Sequence, residues 1–149
     1  MNLQRKTSNS DQTIELARRI GKNLRGGECI ELISDVGAGK TTFVRGLAKG
    51  AGSHNHVSSP TFTISKQYDT AKFSIIHFDF YRLQEANLIE HEISDILQGK
   101  KNVIIVEWAE LVKHTLPNSR LTITINSSEC DRRYEFKCPE KLSYLLEGM

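Results

Sequence analysis

A chain of 149 residues, 38% hydrophobic and 26% charged, is long enough to bury a core without metal or disulfide staples and has the make-up of an ordinary soluble globule. Its formal net charge is only +2, with Lys and Arg scattered among acids, so charge alone gives no reason to expect a nucleic-acid face. No apolar run approaches the roughly twenty residues of a membrane-spanning helix, and residues 1–11 lack the apolar stretch of a secretory signal, which excludes both classes. The expectation is a single domain over residues 1–149, cytoplasmic and without membrane contact.

Residues 11–24 carry Ile14, Leu16, Ala17, Ile20 and Leu24 at helical spacing, with Ser10 or Asp11 available as a cap. Gly26 and Gly27 break this helix, and residues 29–34 follow as a short β-rich run. A glycine loop leads into a second helix from Lys40 to about Lys49, ended by Gly50 and Gly52. Residues 61–68 and 73–80 are rich in β-branched and aromatic side chains and flank a polar turn, so they read as a hairpin. A third helix is expected from Glu85 to Leu97, stopped by Gly99. Val103, Ile104, Ile105 and Val106 then form a fully apolar strand suited to the interior of a sheet. Residues 121–126 and 134–137 alternate as a second hairpin, and the last ten residues suit a helix. The early helix, strand, loop and helix imply an α/β three-layer sandwich of the P-loop NTPase kind, while the antiparallel hairpins imply a mixed sheet.

The three cysteines, Cys29, Cys130 and Cys138, cannot all pair with one another, and the Cys130/Cys138 spacing is not that of a zinc site. They read as reduced thiols. The five histidines occupy separate elements or a loop and read as ordinary polar positions.

The informative segment is Gly37-Ala38-Gly39-Lys40-Thr41-Thr42. Successive main-chain N–H groups in such a loop curl around a phosphate, helped by the positive end of the helix that follows. Gly37 and Gly39 let the backbone approach closely, Lys40 reaches the β- and γ-phosphates, the Thr41 hydroxyl is placed for Mg²⁺, and Thr42 can bond the α-phosphate. The full pattern G-x-x-x-x-G-K-[ST] begins with glycine, where this chain has Ser34 followed by Asp35 and Val36. What supports the motif is its placement between a β-rich run and an amphipathic helix. The guanine-selective pattern N-K-x-D is absent, which favours ATP.

Such a loop needs a second anchor for the metal, an acid at the end of a buried strand. Glu107 ends the apolar run 103–106, and Asp79 follows Ile75, Ile76, His77 and Phe78. The cleaner run makes Glu107 the metal-side residue and leaves Asp79 to hold or activate water. Catalytic work is thus assigned to Lys40, Asp79 and Glu107, and metal ligation to Thr41 and Glu107. Residues 58–63, with their hydroxyls, lie where segments that sense the γ-phosphate commonly sit.

Four blocks in order resemble the bacterial TsaE (YjeE) proteins of tRNA threonylcarbamoyladenosine biosynthesis, over nearly the whole chain. They are Gly37-Ala38-Gly39-Lys40-Thr41-Thr42-Phe43 with Arg45-Gly46-Leu47, then Ser59-Pro60-Thr61-Phe62-Thr63, then His77-Phe78-Asp79-Phe80-Tyr81-Arg82-Leu83, then Val106-Glu107-Trp108. The family usually has glycine at the position of Ser34 and leucine at that of Val36. The resemblance implies that Thr41 and Glu107 are Mg²⁺ ligands, and that residues 37–42 hold the nucleotide, bordered by Ser10 and Arg132. It further implies an ATPase acting on a TsaD-like and TsaB-like pair, with tRNA reached only through that complex: ATP binding would favour assembly, and hydrolysis would reset it. Trp108 and residues 77–83 would shape the site and also present a partner surface.

Two other readings remain from the sequence. A small-molecule P-loop kinase would normally carry an arginine-rich lid, and Asp131-Arg132-Arg133 holds the single pair of adjacent arginines after the third helix. A nonhydrolytic nucleotide-dependent scaffold is compatible with Ser34.

Overall fold

The computed structural model of the chain describes residues 1–35, 37–60, 63–85, 87–99 and 101–149. In chain order the elements are β1 (Asn2–Thr7), α1 (Ser10–Asn23), β2 (Cys29–Ile33), α2 (Lys40–Gly50), β3 (Ser65–Asp69), β4 (Ser74–Asp79), α3 (Asn87–Gly99), β5 (Val103–Glu107), β6 (Leu121–Ser127) and β7 (Arg132–Lys137). Short 3-10 helices at Ala109–Leu111 and Glu140–Leu146 complete the list. All seven strands join one sheet in the order β1-β7-β6-β2-β5-β4-β3.

The interior of that sheet is parallel: β2 pairs with β5 and β6, and β5 pairs with β4. Both margins are antiparallel, β3 on β4 and the β6, β7, β1 series on the other side. Side-chain alternation sends each strand's apolar residues to two faces. Ile30 and Leu32, Val103 and Ile105, and Leu121 and Ile123 meet Ala17 and Ile20 of α1 and Phe43 and Leu47 of α2. Cys29, Ile76, Phe78, Ile104 and Val106 face the other way, onto Ile93 of α3 and onto Val112 and Leu116. The expected three layers and mixed sheet are present. Among the described residues no helix is long and apolar enough to cross a membrane.

Helices α1 and α2 pack backbone to backbone. A Cβ placed on Gly46 would sit 2.5 Å from the Ile14 carbonyl oxygen and 2.6 Å from the Ala17 Cβ, so only glycine permits this approach. The close packing fixes the start of α2, and with it the loop at residues 37–39, against the sheet.

Several boundaries differ from the sequence reading. The cap of α1 is Asn9 rather than Ser10 or Asp11: its side chain accepts from the Gln12 N–H at 2.9 Å, while Gln12 Oε1 accepts from the Ser8 N–H at 2.7 Å. Strand β1 was not anticipated, because along Asn2–Thr7 only Thr7 is buried and no apolar alternation marks it. It forms the sheet margin on β7, from Asn2 opposite Lys137 to Thr7 opposite Arg132. The strand expected over residues 61–68 begins only at Ser65, after Ile64 turns into the left-handed region at φ 66°, where a β-branched residue is strained. Thr61 and Phe62 of that expectation lie outside the described residues, as does Val36. Helix α3 starts at Asn87 rather than Glu85, and the C-terminal helix is of the 3-10 type.

Glu28 ties the C-terminal segment to the sheet. Nearly buried, it accepts from the N–H groups of Arg25 and Gly26 at 2.7 and 2.8 Å and from the Tyr144 hydroxyl at 2.7 Å. Burial, together with donation to this carboxylate, pushes the Tyr144 phenol up to about 12. Glu28→Ala leaves three donors unmatched, and at about 1 kcal/mol or more for each the expected loss is roughly 3 kcal/mol, read as a lower urea midpoint with an unchanged slope. Cys29 and Cys138 are buried and Cys130 is exposed. Burial pushes the Cys29 thiol up to about 12, which makes it unreactive at neutral pH.

Candidate functional site

Strand β2 ends at Ile33 and the chain passes through the glycine loop into α2, whose N-cap is Gly39 at φ 94°. At that φ any L side chain is strained, and a Cβ would in addition meet Arg132 Nε at 2.9 Å. The guanidinium occupies that space because Arg132 Nε donates to the Ala38 carbonyl at 2.8 Å. A residue from the first position of β7 therefore fastens the loop from outside.

Lys40 opens α2 and is almost buried, at 9% exposure. Its Nζ donates to the carbonyls of Ser34 and Asp35, at 3.3 and 3.4 Å, and stands 4.8 Å from the centre of the Trp108 ring. The ammonium is thus held by long contacts to the loop's own carbonyls and by one aromatic face, a position from which a phosphate could draw it. Trp108 follows β5 with φ 55°, a left-handed conformation that costs about 1 kcal/mol for a bulky residue. Its ring leans on Tyr81 at 5.0 Å between centroids, and Tyr81 itself is 51% exposed.

Opposite the loop stand the two acids. Asp79 and Glu107 are Cα partners at the C-terminal ends of β4 and β5 and share the face of Ile75, Val103 and Ile105, the side on which α2 packs. Both are nearly buried. Asp79 Oδ1 accepts from the Tyr81 N–H at 3.0 Å, which holds the carboxylate at the turn after β4. Glu107 Oε1 is buried without a hydrogen-bond partner among the described residues.

One cavity of about 500 Å³ joins these groups. It is lined by Gly37, Ala38, Gly39, Lys40, Thr41, Thr42, Ser59, Asp79, Tyr81, Arg82, Glu107, Trp108 and Arg132. A small recess beside it is lined by Ser10, Thr13, Gly39, Thr42 and Arg132. Because Asn9 takes the capping role, Ser10 becomes the first helical residue and borders this recess. Ser10, residues 37–42, Asp79, Glu107 and Arg132, the residues assigned to nucleotide, metal and catalysis, thus lie around the cavity or its recess. A second cavity of about 410 Å³, between β1, α1 and Met149, carries Arg5, Lys6, Glu15 and Arg19 but no glycine loop, and Glu15 there is engaged by Arg18 and Arg19.

Ser34 does not line the main cavity. Its hydroxyl donates to the Asp35 carbonyl at 3.1 Å, and its side chain borders a neighbouring groove with Thr124 and Asn126. Among the described residues only Ile64 and Trp108 combine a side chain with a positive φ, so the backbone at Ser34 makes no demand for glycine. Of the expected 58–63 segment, Ser59 reaches the cavity, the Ser58 carbonyl accepts from the Tyr68 hydroxyl at 3.0 Å, and Thr63 Oγ1 donates to the Ser65 carbonyl at 3.1 Å. His77 enters the sequence reading as an ordinary polar position, yet it is fully buried with Nε2 3.4 Å from Glu107 Oε2. The signal was its place two residues before Asp79, on the same face of an apolar strand.

The donor set fits a hard divalent cation. Magnesium takes oxygen ligands, keeps several waters and is usually bound by one or two carboxylates with substrate phosphates. A threonine hydroxyl, a buried carboxylate oxygen without a protein partner and a second acid beside it match that preference. A divalent charge would also offset the cost of burying two acids side by side.

Residues 7–134 match the family described as threonylcarbamoyl adenosine biosynthesis protein TsaE. A tRNA threonylcarbamoyladenosine biosynthesis protein TsaE of Bacillus subtilis is 34% identical over 145 residues, covering 91% of this chain and 90% of its own length. That of Streptomyces coelicolor is 37% identical over 126 residues, covering 83% and 84%. In structure the chain is similar to Bacillus subtilis YdiB, with a TM-score of 0.77 at 30% identity, over 99% of this chain and 93% of the other.

Proposed function

The chain belongs to the TsaE family, and on that premise we propose that it binds and hydrolyses ATP with Mg²⁺ to regulate a TsaD-like and TsaB-like pair in tRNA threonylcarbamoyladenosine formation. The observation that carries this reading is the meeting of a glycine loop, its lysine and two strand-end acids in one cavity. The main-chain N–H groups of residues 37–42 and the N-terminus of α2 bind the phosphates, and Arg132 keeps the loop in place through the Ala38 carbonyl. Lys40 exchanges its long contacts to the Ser34 and Asp35 carbonyls for the β- and γ-phosphate oxygens. Thr41 and Glu107 hold Mg²⁺, which when bound neutralises charge developing on the transferred phosphoryl group. Asp79, fixed by the Tyr81 N–H, orients the attacking water and accepts its proton. Ser10 and Arg132 border the nucleotide from the recess beside Thr42.

The chain does not itself transfer threonylcarbamoyl in this reading. Tyr81, half exposed against Trp108, links the cavity wall to the surface. A partner docked there would sense the state of the nucleotide. Hydrolysis is expected to be slow alone and tied to assembly, in the cytosol where tRNA is modified.

The test is capture of a purified TsaD and TsaB pair on the immobilised chain with and without ATP and Mg²⁺, with phosphate release followed in parallel. ATP-dependent capture and release of phosphate into water are expected. Capture indifferent to nucleotide would remove the regulatory role, and phosphate found on an added small-molecule acceptor would make the chain a kinase instead.

A further inference from the structure

His77 lies on β4 in register with Ile105, two residues before the pair Asp79 and Glu107 and on the same face of the sheet. It has no exposed surface, and its Nε2 approaches Glu107 Oε2 to 3.4 Å without completing a hydrogen bond. Among the described residues the buried side-chain nitrogen and oxygen atoms with no hydrogen-bond partner are His77 Nδ1, His77 Nε2 and Glu107 Oε1, all at this one spot. The ring beside it, Tyr68, is 6.3 Å away between centroids and donates its hydroxyl to the Ser58 carbonyl, not to the imidazole.

An apolar side chain at this point of β4 would avoid burying two unmatched ring nitrogens, whose lost hydration nothing repays. Buried polar atoms left unmatched in one place call for a reason in function, since packing alone disfavours them. A carboxylate that ligates a metal is commonly oriented by a hydrogen bond from outside the ligand shell. We infer that His77 is a positioning residue for Glu107, its Nε2 steadying Oε2 so that Oε1, the oxygen without a protein partner, is presented to Mg²⁺. It makes no contact with nucleotide and takes no part in bond making. The inference rests on the metal role proposed for Glu107.

Mn²⁺ serves as the probe, its binding to the protein with ADP followed by electron paramagnetic resonance, beside thermal melts of the protein alone. His77→Leu is expected to melt no lower than wild type, to bind ADP normally without metal, and to bind Mn²⁺ at least about tenfold more weakly. His77→Gln, whose amide can donate from nearly the same place, is expected to regain part of that loss. Wild-type Mn²⁺ affinity in His77→Leu overturns the inference, and so does an equal loss in both variants, which marks a packing role. If the leucine variant does not fold, His77→Met set against His77→Gln carries the same comparison. A wild-type chain that binds ADP but no Mn²⁺ overturns the metal role and this inference together, whereas Mn²⁺ binding that is as tight in His77→Leu as in the wild-type chain overturns the inference alone.

Discussion

Lys40→Ala is expected to weaken ATP binding by about a hundredfold or more while leaving the fold in place. The lysine is nearly buried, and among the described residues its ammonium is steadied by two long carbonyl contacts and the Trp108 face. A charge-assisted hydrogen bond contributes about 1.5–3 kcal/mol. Two such bonds to phosphate, less the carbonyl contacts given up, leave roughly 3 kcal/mol, which corresponds to about a hundredfold in affinity. Alanine is the best helix former and Lys40 is the first residue of α2, so the melting temperature should move little. Calorimetric titration with ATP measures the effect, and an unchanged affinity would falsify phosphate binding at this loop.

Glu107→Ala is expected to separate binding from chemistry. Without metal the phosphates are held by the loop amides and Lys40, so affinity measured in a chelator should be close to wild type. With Mg²⁺ the variant lacks a buried carboxylate in register with Asp79, and hydrolysis should fall by at least about a hundredfold. Glu107→Gln keeps the shape and part of the hydrogen bonding but not the charge, and should fail in the same way if charge is what matters. Wild-type turnover in both variants would exclude Glu107 from metal binding and would also remove the reason offered for its burial.

How far the sequence carries depends on whether a signal is local. The glycine loop is legible because the β-rich run, the loop and the amphipathic helix are contiguous, and the acids are legible because each ends an apolar strand. That Asp79 and Glu107 face each other is not, since it follows from the parallel register of β4 and β5, a non-local pairing. The same limit hides β1: Leu3 is the one apolar side chain between Asn2 and Thr7, too little to mark an alternation, and the pairing with β7 makes these residues a strand. Sequence does not single out Asn9 as the cap, because Ser10 and Asp11 are equally good candidates by type and the choice depends on backbone angles that sequence does not carry. Trp108 in a left-handed conformation had no local cue, although it turns the chain away from the sheet directly after Glu107. Ser34 shows the reverse case. It breaks the written pattern, yet the backbone there needs no glycine and the hydroxyl turns to the Asp35 carbonyl, outside the cavity.

Crystals grown with ADP and Mg²⁺ would show whether the glycine loop is the nucleotide site. The phosphates are expected against the N–H groups of residues 37–42, with Lys40 Nζ moved onto them and the cation held by the Thr41 hydroxyl and Glu107. Nucleotide seated instead in the cavity of Arg5, Lys6 and Arg19, or a loop that stays empty at saturating ADP, would contradict it.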